Sequence, residues 1–216
     1  MKKYAFLLFL VSSQLLFSQE KVVQRRSMTA HELEVLTYGL DDIVIENSEN
    51  NELEVILFDE NPHTHNILFK EKGEILKVSF ELKIPPLQDE VFRKYITRRL
   101  ERARVVIKVP KNKHITVHGK TIGVTSKSYL GDLDVYIERG NVKMNTILGN
   151  SKVYLFQGNV FADTFKADLS LTTTKGVILV NDKKKVSPFQ EKYPPSLKSF
   201  TVNSIHANIT VKIKKT

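Results

Sequence analysis

Apolar residues recur in the central part of the chain with a period of nine residues. Each nine-residue block opens on a small residue, and the positions two and four residues later are apolar at eleven of twelve places. Side chains two residues apart lie on the same face of a β-strand, so each block predicts a turn followed by a short strand with alternate side chains inward. The opening residues, called markers below, are Gly131, Gly140, Gly149, Gly158, Ala167 and Gly176.

The next apolar position differs between successive blocks. It falls six residues after the marker in the first and third blocks (Ile137, Leu155) and seven after it in the second and fourth (Ile147, Phe165). The pattern therefore predicts an eighteen-residue coil with two unlike halves, in which residue i pairs in parallel with residue i+18. A tandem of flat antiparallel hairpins would also repeat every nine residues, but it gives no reason for the alternation.

An Asp or Asn follows five of the six markers, as in Gly140-Asn141 and Gly158-Asn159. These residue types tolerate left-handed backbone, so the pairs predict tight turns between the strands. The predicted fold is all-β, a single parallel β-solenoid (β-helix) whose regular coils span about residues 105–181. The expected domain covers residues 19–216.

Weaker patterns flank the regular coils. Upstream, alternation predicts strands near residues 32–38, 42–46, 52–58 and 75–83. Residues 89–104 carry apolar side chains at helical spacing, which predicts a short amphipathic helix. The segment 200–213 alternates again, and Lys212, Lys214 and Lys215 would suit an exposed edge strand. The N- and C-terminal strands are expected to complete or cap the solenoid.

The N-terminus has the features of a secretory signal peptide. Lys2 and Lys3 precede an apolar run that ends near Phe17, and Ser18 fits a cleavage site, so residues 1–18 are predicted to be removed. The chain has no cysteine, which excludes disulfides and a lipid-modified cysteine anchor. An exported protein of the periplasm, outer surface or medium, with no transmembrane segment in the mature chain, is therefore expected.

Positive charge is concentrated in one segment. The formal net charge is +9, and residues 93–113 contain nine basic residues against one acid, Glu101. Such a cluster favours an anionic envelope polymer or glycan, whereas the alternative is a solvated helix or loop edge. Nucleic acid is disfavoured because the protein is exported and carries no binding motif for it. The candidate contacts here are Arg93, Arg98, Arg99, Arg102 and Arg104.

One known family shares these features. Residues 105–180 combine a strand that ends in Val109-Pro110 with short coils of the form Gly-x-apolar-x-apolar, behind a signal peptide that ends Phe17-Ser18-Gln19. In this the chain resembles the putative-adhesin family of exported bacterial β-solenoid proteins. The resemblance implies a backbone path and an adhesin-like role, and it brings no active-site residues with it.

Familiar catalytic and metal-binding motifs are missing from the sequence. It has no Gly-x-Ser-x-Gly elbow, no His-Glu-x-x-His and no phosphate-binding glycine loop. Its nine-residue blocks carry at most one Gly each and lack the Asp spacing of calcium-binding repeats. His63 and His65 have no third ligand nearby in sequence, and His114 and His118 would lie too far apart along a strand to share a metal. We therefore predict no catalytic, cofactor-binding or metal-binding residue.

Two outward rows are candidate contacts. At a repeat of eighteen, Tyr136 stacks on Tyr154 about 4.8 Å away, a spacing suited to a sugar ring, to a partner protein or to mutual support as a cross-strand pair. Phe161 and Leu179 form a second outward pair, which the chain itself or a partner would cover.

The function that follows is a non-catalytic, exported protein of the cell envelope or surface, acting as an adhesin-like binding or structural module. A polysaccharide-acting enzyme on a β-helix is the first alternative, although no close pair of acids emerges from the outward rows. A periplasmic sensing or regulatory domain is the second.

Overall fold

Strands make up the regular structure of the described chain. The computed structural model describes residues 21–59, 65–83 and 103–214, and these ranges contain sixteen strands and no helix. All sixteen strands belong to one mixed sheet with parallel and antiparallel neighbours, so the fold is all-β. The predicted signal peptide, residues 1–18, lies outside the described residues.

Six strands lie before residue 84. They are β1 (Lys21–Ser27), β2 (Glu32–Leu36), β3 (Asp42–Asn47), β4 (Glu52–Asp59), β5 (His65–Lys72) and β6 (Ile75–Leu82). Four of them, β2, β3, β4 and β6, lie close to the segments whose alternation predicts them, and β1 and β5 are not among the predicted strands. Ten more strands follow residue 102. They are β7 (Ala103–Val109), β8 (His114–Thr121), β9 (Gly123–Ser126), β10 (Asp132–Ile147), β11 (Ser151–Thr164), β12 (Asp168–Thr173), β13 (Ile178–Val180), β14 (Lys183–Lys185), β15 (Phe189–Glu191) and β16 (Ser199–Ile213).

The predicted helix over residues 89–104 lies mostly outside the described residues. Its last two residues, Ala103 and Arg104, begin β7, so the helical prediction is wrong at that end. The physical reason is a change of period: Ala103, Val105 and Ile107 are buried at alternate positions, as in a strand with one face inward.

Parallel pairing arranges most of the strands as a stack of levels, which we call the parallel stack. Each level has a first and a second strand segment separated by a corner. In spatial order the levels are β6 with β7, β2 with β3, β8 with β9, β10, β11, β16, and β12 with β13. Antiparallel strands lie at both ends of the stack, β4 and β5 at one and β14 and β15 at the other.

The predicted pairing of residue i with residue i+18 is confirmed in the middle of the stack. Val135 pairs in parallel with Val153, and Gly140 pairs with Gly158. One level earlier, Val117 pairs in the same way with Val135. The alternative of antiparallel hairpins is therefore wrong for this region.

Inward side chains form columns across the levels, and these columns are the core. One column crosses all seven first segments, and every member has no exposed surface. It consists of Val78, Val35, Val117, Val135, Val153, Val202 and Leu171. Each level therefore buries the apolar surface that the level beside it would leave open, which makes neighbouring levels depend on each other for stability.

The C-terminal strand is an interior strand, so the prediction of a charged edge is wrong. β16 pairs in parallel with β11 on one side and with β12 and β13 on the other. Its inward residues Phe200, Val202 and Ile209 have no exposed surface. Burial of this apolar face outweighs the charge of Lys212 and Lys214, which are exposed, and Lys214 forms a 3.0 Å ion pair with Asp163. Lys215 lies outside the described residues.

The inward position at the end of β11 also differs from the prediction. Ile137 and Leu155 point inward as expected, but the side chain of Phe165 is 37% exposed. The register shifts between Met144 and Ile147, so that Ile147 pairs with Thr164 rather than with Phe165. Thr164, which is fully buried, therefore takes the inward place.

The marker glycines and the asparagines that follow them have structural roles that differ from the predicted ones. Asn141 and Asn159 do not adopt left-handed backbone; they form a ladder across the levels, in which Asn159 Nδ2 donates to Asn141 Oδ1 (2.9 Å) and Asn208 Nδ2 donates to Asn159 Oδ1 (3.3 Å). The positive φ belongs to Gly140 (143°) and Gly158 (148°). A Cβ on Gly158 would lie 1.8 Å from the carbonyl oxygen of Gly140, so glycine permits this close approach of adjacent levels.

Candidate ligand-binding surface

Three aromatic side chains form a stacked row on the outer face of the first strand segments. Tyr136 on β10 and Tyr154 on β11 are in register, with ring centroids 4.8 Å apart and ring planes within 7° of parallel. His118 on β8 stacks on the opposite side of Tyr136 with a centroid distance of 5.3 Å and an angle of 16°. We call these three residues the aromatic row.

Stacking limits which ring faces a ligand could contact. Both faces of Tyr136 are covered, one by His118 and the other by Tyr154. The predicted stacking is present, but Tyr136 offers its edge and hydroxyl rather than a face. Tyr154 differs because its next neighbour across the sheet is the short Asn203 on β16, and its side chain is 38% exposed. The ring face of Tyr154 that points toward Asn203 is therefore the open face of the row.

Sequence reasoning missed His118 as a member of this row. It treats His118 only as a candidate metal ligand, yet His118 lies eighteen residues before Tyr136 and pairs with it. Extending the same period back by one coil would have found it.

Charged side chains lie beside the aromatic row. The carboxylate of Asp134 is largely buried and lies 3.5 Å from both His114 Nε2 and Lys152 Nζ. Burial raises the pKa of the Tyr136 hydroxyl, and the carboxylate of Asp134 raises it further, so this phenol stays protonated at neutral pH. On β2, Glu34 accepts a hydrogen bond from Lys77 at 3.2 Å. These pairs fix the outer face locally and leave it close to neutral.

A groove crosses the strands alongside the aromatic row. One wall consists of Leu36, His118, Tyr136, Tyr154 and Asn203, and the other consists of residues two positions later on the same strands, Tyr38, Lys120, Glu138, Phe156 and Ile205. The intervening residues Thr37, Gly119, Ile137, Leu155 and Ser204 form its floor. We call this feature the cross-strand groove.

The cross-strand groove has two sections that meet at Gly119. The section between β2 and β8 has a volume of about 850 Å³ and is also lined by Gly39, Leu40 and Asp41. The section from β10 to β16 has a volume of about 490 Å³. The groove spans five strands and therefore four strand spacings, or about 19 Å. It can accommodate an elongated ligand lying across the strands.

The second predicted outward pair is not a pair. Thr210 of β16 lies between Phe161 and Leu179, because Phe161 pairs with Thr210 and Thr210 pairs with Leu179. The prediction assumed that β12 and β13 follow β11 directly in space, and the interior position of β16 separates them. Phe161 is 46% exposed.

The predicted basic contacts are only partly described. Arg93, Arg98, Arg99 and Arg102 lie outside the described residues. Arg104 lies on β7, where its Nε is 3.3 Å from a carboxylate oxygen of Asp42.

Two other basic side chains of the same segment also contact acceptors within the chain. Lys108 Nζ lies 2.7 Å from Glu54, and the hydrogen bond between them lowers the pKa of Glu54 and raises that of Lys108. Lys113 Nζ donates to the carbonyl oxygen of Ala30 at 2.7 Å. These lysines are held by internal contacts rather than left open for a polyanion.

Metal-binding clusters and membrane-spanning helices are absent from the described ranges. No group of three or more His, Asp or Glu side chains there is arranged to hold a metal ion. His65, one of the histidines weighed in the sequence, instead places its Nδ1 2.9 Å from the carboxylate of Asp59. The structure also contains no helix within residues 21–59, 65–83 and 103–214 that is long and apolar enough to cross a bilayer.

A known structure shares the fold of this chain. A structure described as that of a putative cell adhesion protein from Clostridium sporogenes has a TM-score of 0.60 and 14% sequence identity, covering 91% of this chain and 100% of the other. A putative adhesin from Bacteroides fragilis covers 91% of this chain and 98% of its own at 13% identity, with a TM-score of 0.37. No protein-family model matches the sequence, and no curated protein sequence matches it.

At this level of identity, the likeness to the Clostridium sporogenes protein is a likeness of fold. It supports the putative-adhesin resemblance of the sequence at the level of the fold family.

Proposed function

We propose that the protein is a non-catalytic, exported binding protein of the cell envelope or surface, built on a β-solenoid. The aromatic row and the cross-strand groove beside it form its binding surface. The observation that carries the proposal is the open face of Tyr154, flanked by Phe156 and Ile205, whose side chains are 46% and 43% exposed. Exposed aromatic side chains at a concave surface are typical of binding sites rather than of an inert scaffold.

A binding role agrees with the way the surface is built. The strands that present Tyr136 and Tyr154 lie in the interior of the sheet, paired on both sides. Side chains on such strands are held in a fixed arrangement, so little conformational entropy is lost when a ligand binds. The fold neighbour from Clostridium sporogenes, described as a putative cell adhesion protein, is consistent with this role.

A polysaccharide-cleaving enzyme is the alternative, and the Asp134 cluster is the place to consider it. Glycoside hydrolysis commonly requires two carboxyl groups facing the scissile bond. The neighbours of Asp134 across the sheet are Thr116 and Lys152, and neither supplies a second carboxylate. The cluster therefore favours a fixed ion-pair arrangement over catalysis.

The test is binding of residues 19–216 to isolated bacterial envelope material. We expect saturable binding that falls at least about tenfold in the double variant Tyr154→Ala/Phe156→Ala, because exposed aromatic anchors dominate such contacts. The control Phe165→Ala, which removes a ring of similar exposure beyond the end of β11, should bind like the wild type. Absence of binding, or equal binding by all three proteins, would contradict the proposal.

Catalysis is checked in the same samples. We expect no new reducing ends when the protein is incubated with the polysaccharides of the envelope material. Release of reducing ends that is abolished by Asp134→Asn would favour the enzyme instead.

A further inference from the structure

We infer that the cross-strand groove binds an extended, uncharged polysaccharide chain and that the open face of Tyr154 is the platform for one of its sugar rings. This ligand class rests on the proposed function, since it specifies what the same surface binds. It follows from the shape of the groove, its aromatic platform, its hydrogen-bonding groups and its charge.

The shape favours a linear chain. The groove crosses five strands, from Tyr38 on one side to Ile205 on the other, and Gly119 lines both of its sections. A compact ligand would fill one section, whereas a polymer of several rings can occupy both sections across the shared floor at Gly119.

The aromatic platform suits a sugar ring. The C–H face of a pyranose is apolar and packs on an aromatic face, while its hydroxyls point sideways. Tyr154 provides that face, and Phe156 and Ile205 extend the apolar surface next to it. Asn203 lies beside the platform, and its amide can both donate to and accept from hydroxyl groups.

The remaining polar groups suit hydroxyls better than a peptide. Asp41, Lys120 and Glu138 line the groove, and together they offer acceptors and donors to sugar hydroxyls. An extended peptide would gain most by adding a strand to a free sheet edge. The floor residues Ile137 and Leu155 lie on strands paired on both sides, so the floor has no such edge.

The charge of the groove disfavours a polyanion. Two acidic residues, Asp41 and Glu138, line the groove against one lysine, Lys120. An anionic polymer would meet like charges, and desolvating these carboxylates opposite it would cost affinity. The described basic residues Arg104, Lys108 and Lys113 do not enter this balance, because none of them lines the groove.

The test is electrophoresis of the folded protein through native gels that contain a single polysaccharide. Hydroxyethyl cellulose and galactomannan are the neutral probes, and polygalacturonate is the anionic probe. We expect at least one neutral probe to retard the protein at both low and high salt, because apolar stacking is insensitive to ionic strength. Retardation by polygalacturonate alone, or by none of the three, would overturn the inference.

Two variants test the platform in opposite ways. Tyr154→Ala removes the ring and should weaken neutral-polysaccharide binding about tenfold. Asn203→Arg should place a guanidinium group over the open face of Tyr154 and cover it without adding a ring, so binding should fall without a fall in thermal stability. Phe165→Ala, which removes a ring of matched exposure (37% against 38%), is the control. Unchanged binding in both Tyr154→Ala and Asn203→Arg would overturn the inference even if either variant were less stable.

Competition separates this inference from the proposed function. If the envelope ligand is an uncharged polysaccharide, an excess of the neutral probe that retards the protein should displace it from envelope material. Envelope binding that no neutral probe reduces would overturn the inference and leave the proposed function in place. Binding to a neutral probe without any binding to envelope material would support the inference and contradict the proposed function.

Discussion

The middle and the two ends of the parallel stack have the same pattern of inward side chains. They differ in whether strands that are neighbours in space are also neighbours in sequence. In the middle, β8 with β9, β10 and β11 are consecutive in sequence and in space. At one end β16 lies between β11 and β12, although it follows both in sequence. At the other end β2 lies between β6 and β8, although it precedes both. Two levels can therefore be neighbours when their side-chain patterns match, whatever their separation along the chain.

β16 shows what a matching pattern requires. Its Val202 continues the valine column beside Val153, and its Asn208 continues the asparagine ladder beside Asn159. One position differs, since Ala207 pairs with Gly158 where the middle of the stack has glycine beside glycine. Three changes to the chain would test whether β16 behaves like the levels in the middle of the stack.

Deleting residues from the middle should have the largest effect, and its size should depend on the length removed. Removing residues 140–157 joins Arg139 to Gly158, the register partner of Gly140, and deletes one whole level. We expect a protein that is less stable but still folds cooperatively. Removing residues 140–148 joins a first segment to another first segment, so the columns cannot continue and cooperative folding should be lost.

Thermal unfolding followed by circular dichroism distinguishes the two deletions. A steep transition for the longer deletion and none for the shorter is the expected result. Equal loss of cooperativity in both would contradict the eighteen-residue unit.

Substitutions at the marker positions should have the second-largest effect. They compare the middle of the stack with β16. Gly158→Ala forces a Cβ to within 1.8 Å of the Gly140 carbonyl oxygen at a φ of 148°, so we expect a loss of about 3 kcal/mol or more in the free energy of unfolding. Ala207→Gly, at the paired position on β16, should cost only about 1 kcal/mol, the usual cost of added backbone freedom. Urea unfolding measures both losses of free energy. Similar values would show that glycine at the marker position is no more important in the middle of the stack than at β16.

Breaking the asparagine ladder should have the smallest effect. Asn159 bonds to Asn141 on one side and to Asn208 on the other, whereas Asn141 has only the first of these two bonds. Asn159→Ala should lower the free energy of unfolding by about 1–2 kcal/mol and Asn141→Ala by about half as much. An equal or larger loss in Asn141→Ala would mean that the hydrogen bond between Asn159 and Asn208 on β16 does not contribute to stability.

Local patterns predicted the parts of this fold that depend on neighbouring residues. The inward positions, the parallel offset and the Tyr136 and Tyr154 stack follow from a period that can be read along the chain. The signal for β16 as a level was also present, since Ala207-Asn208 repeats the marker pair and Ile209 and Val211 occupy the apolar positions two and four residues after the marker.

The position of β16 in the stack could not be read in the same way. Its partners lie 49 and 31 residues away, as in the pairs Val153 with Val202 and Leu171 with Val202, so no constant period connects them. The candidate site inherited this gap only in part. The period would put Thr172 beside Tyr154, where Asn203 lies in the structure, and either short side chain leaves that ring face open. The separation of Phe161 from Leu179 has the same origin.

The interior position of β16 also affects the order in which the molecule can be assembled. β16 follows both of its neighbours in sequence, so a growing chain that has not yet reached Ser199 exposes the unpaired edges of β11 and β12. Those edges are sites for pairing with other chains until β16 arrives. A strand synthesised after both of its neighbours thus closes an interior gap in the stack, and the stack cannot be completed before β16 has been made.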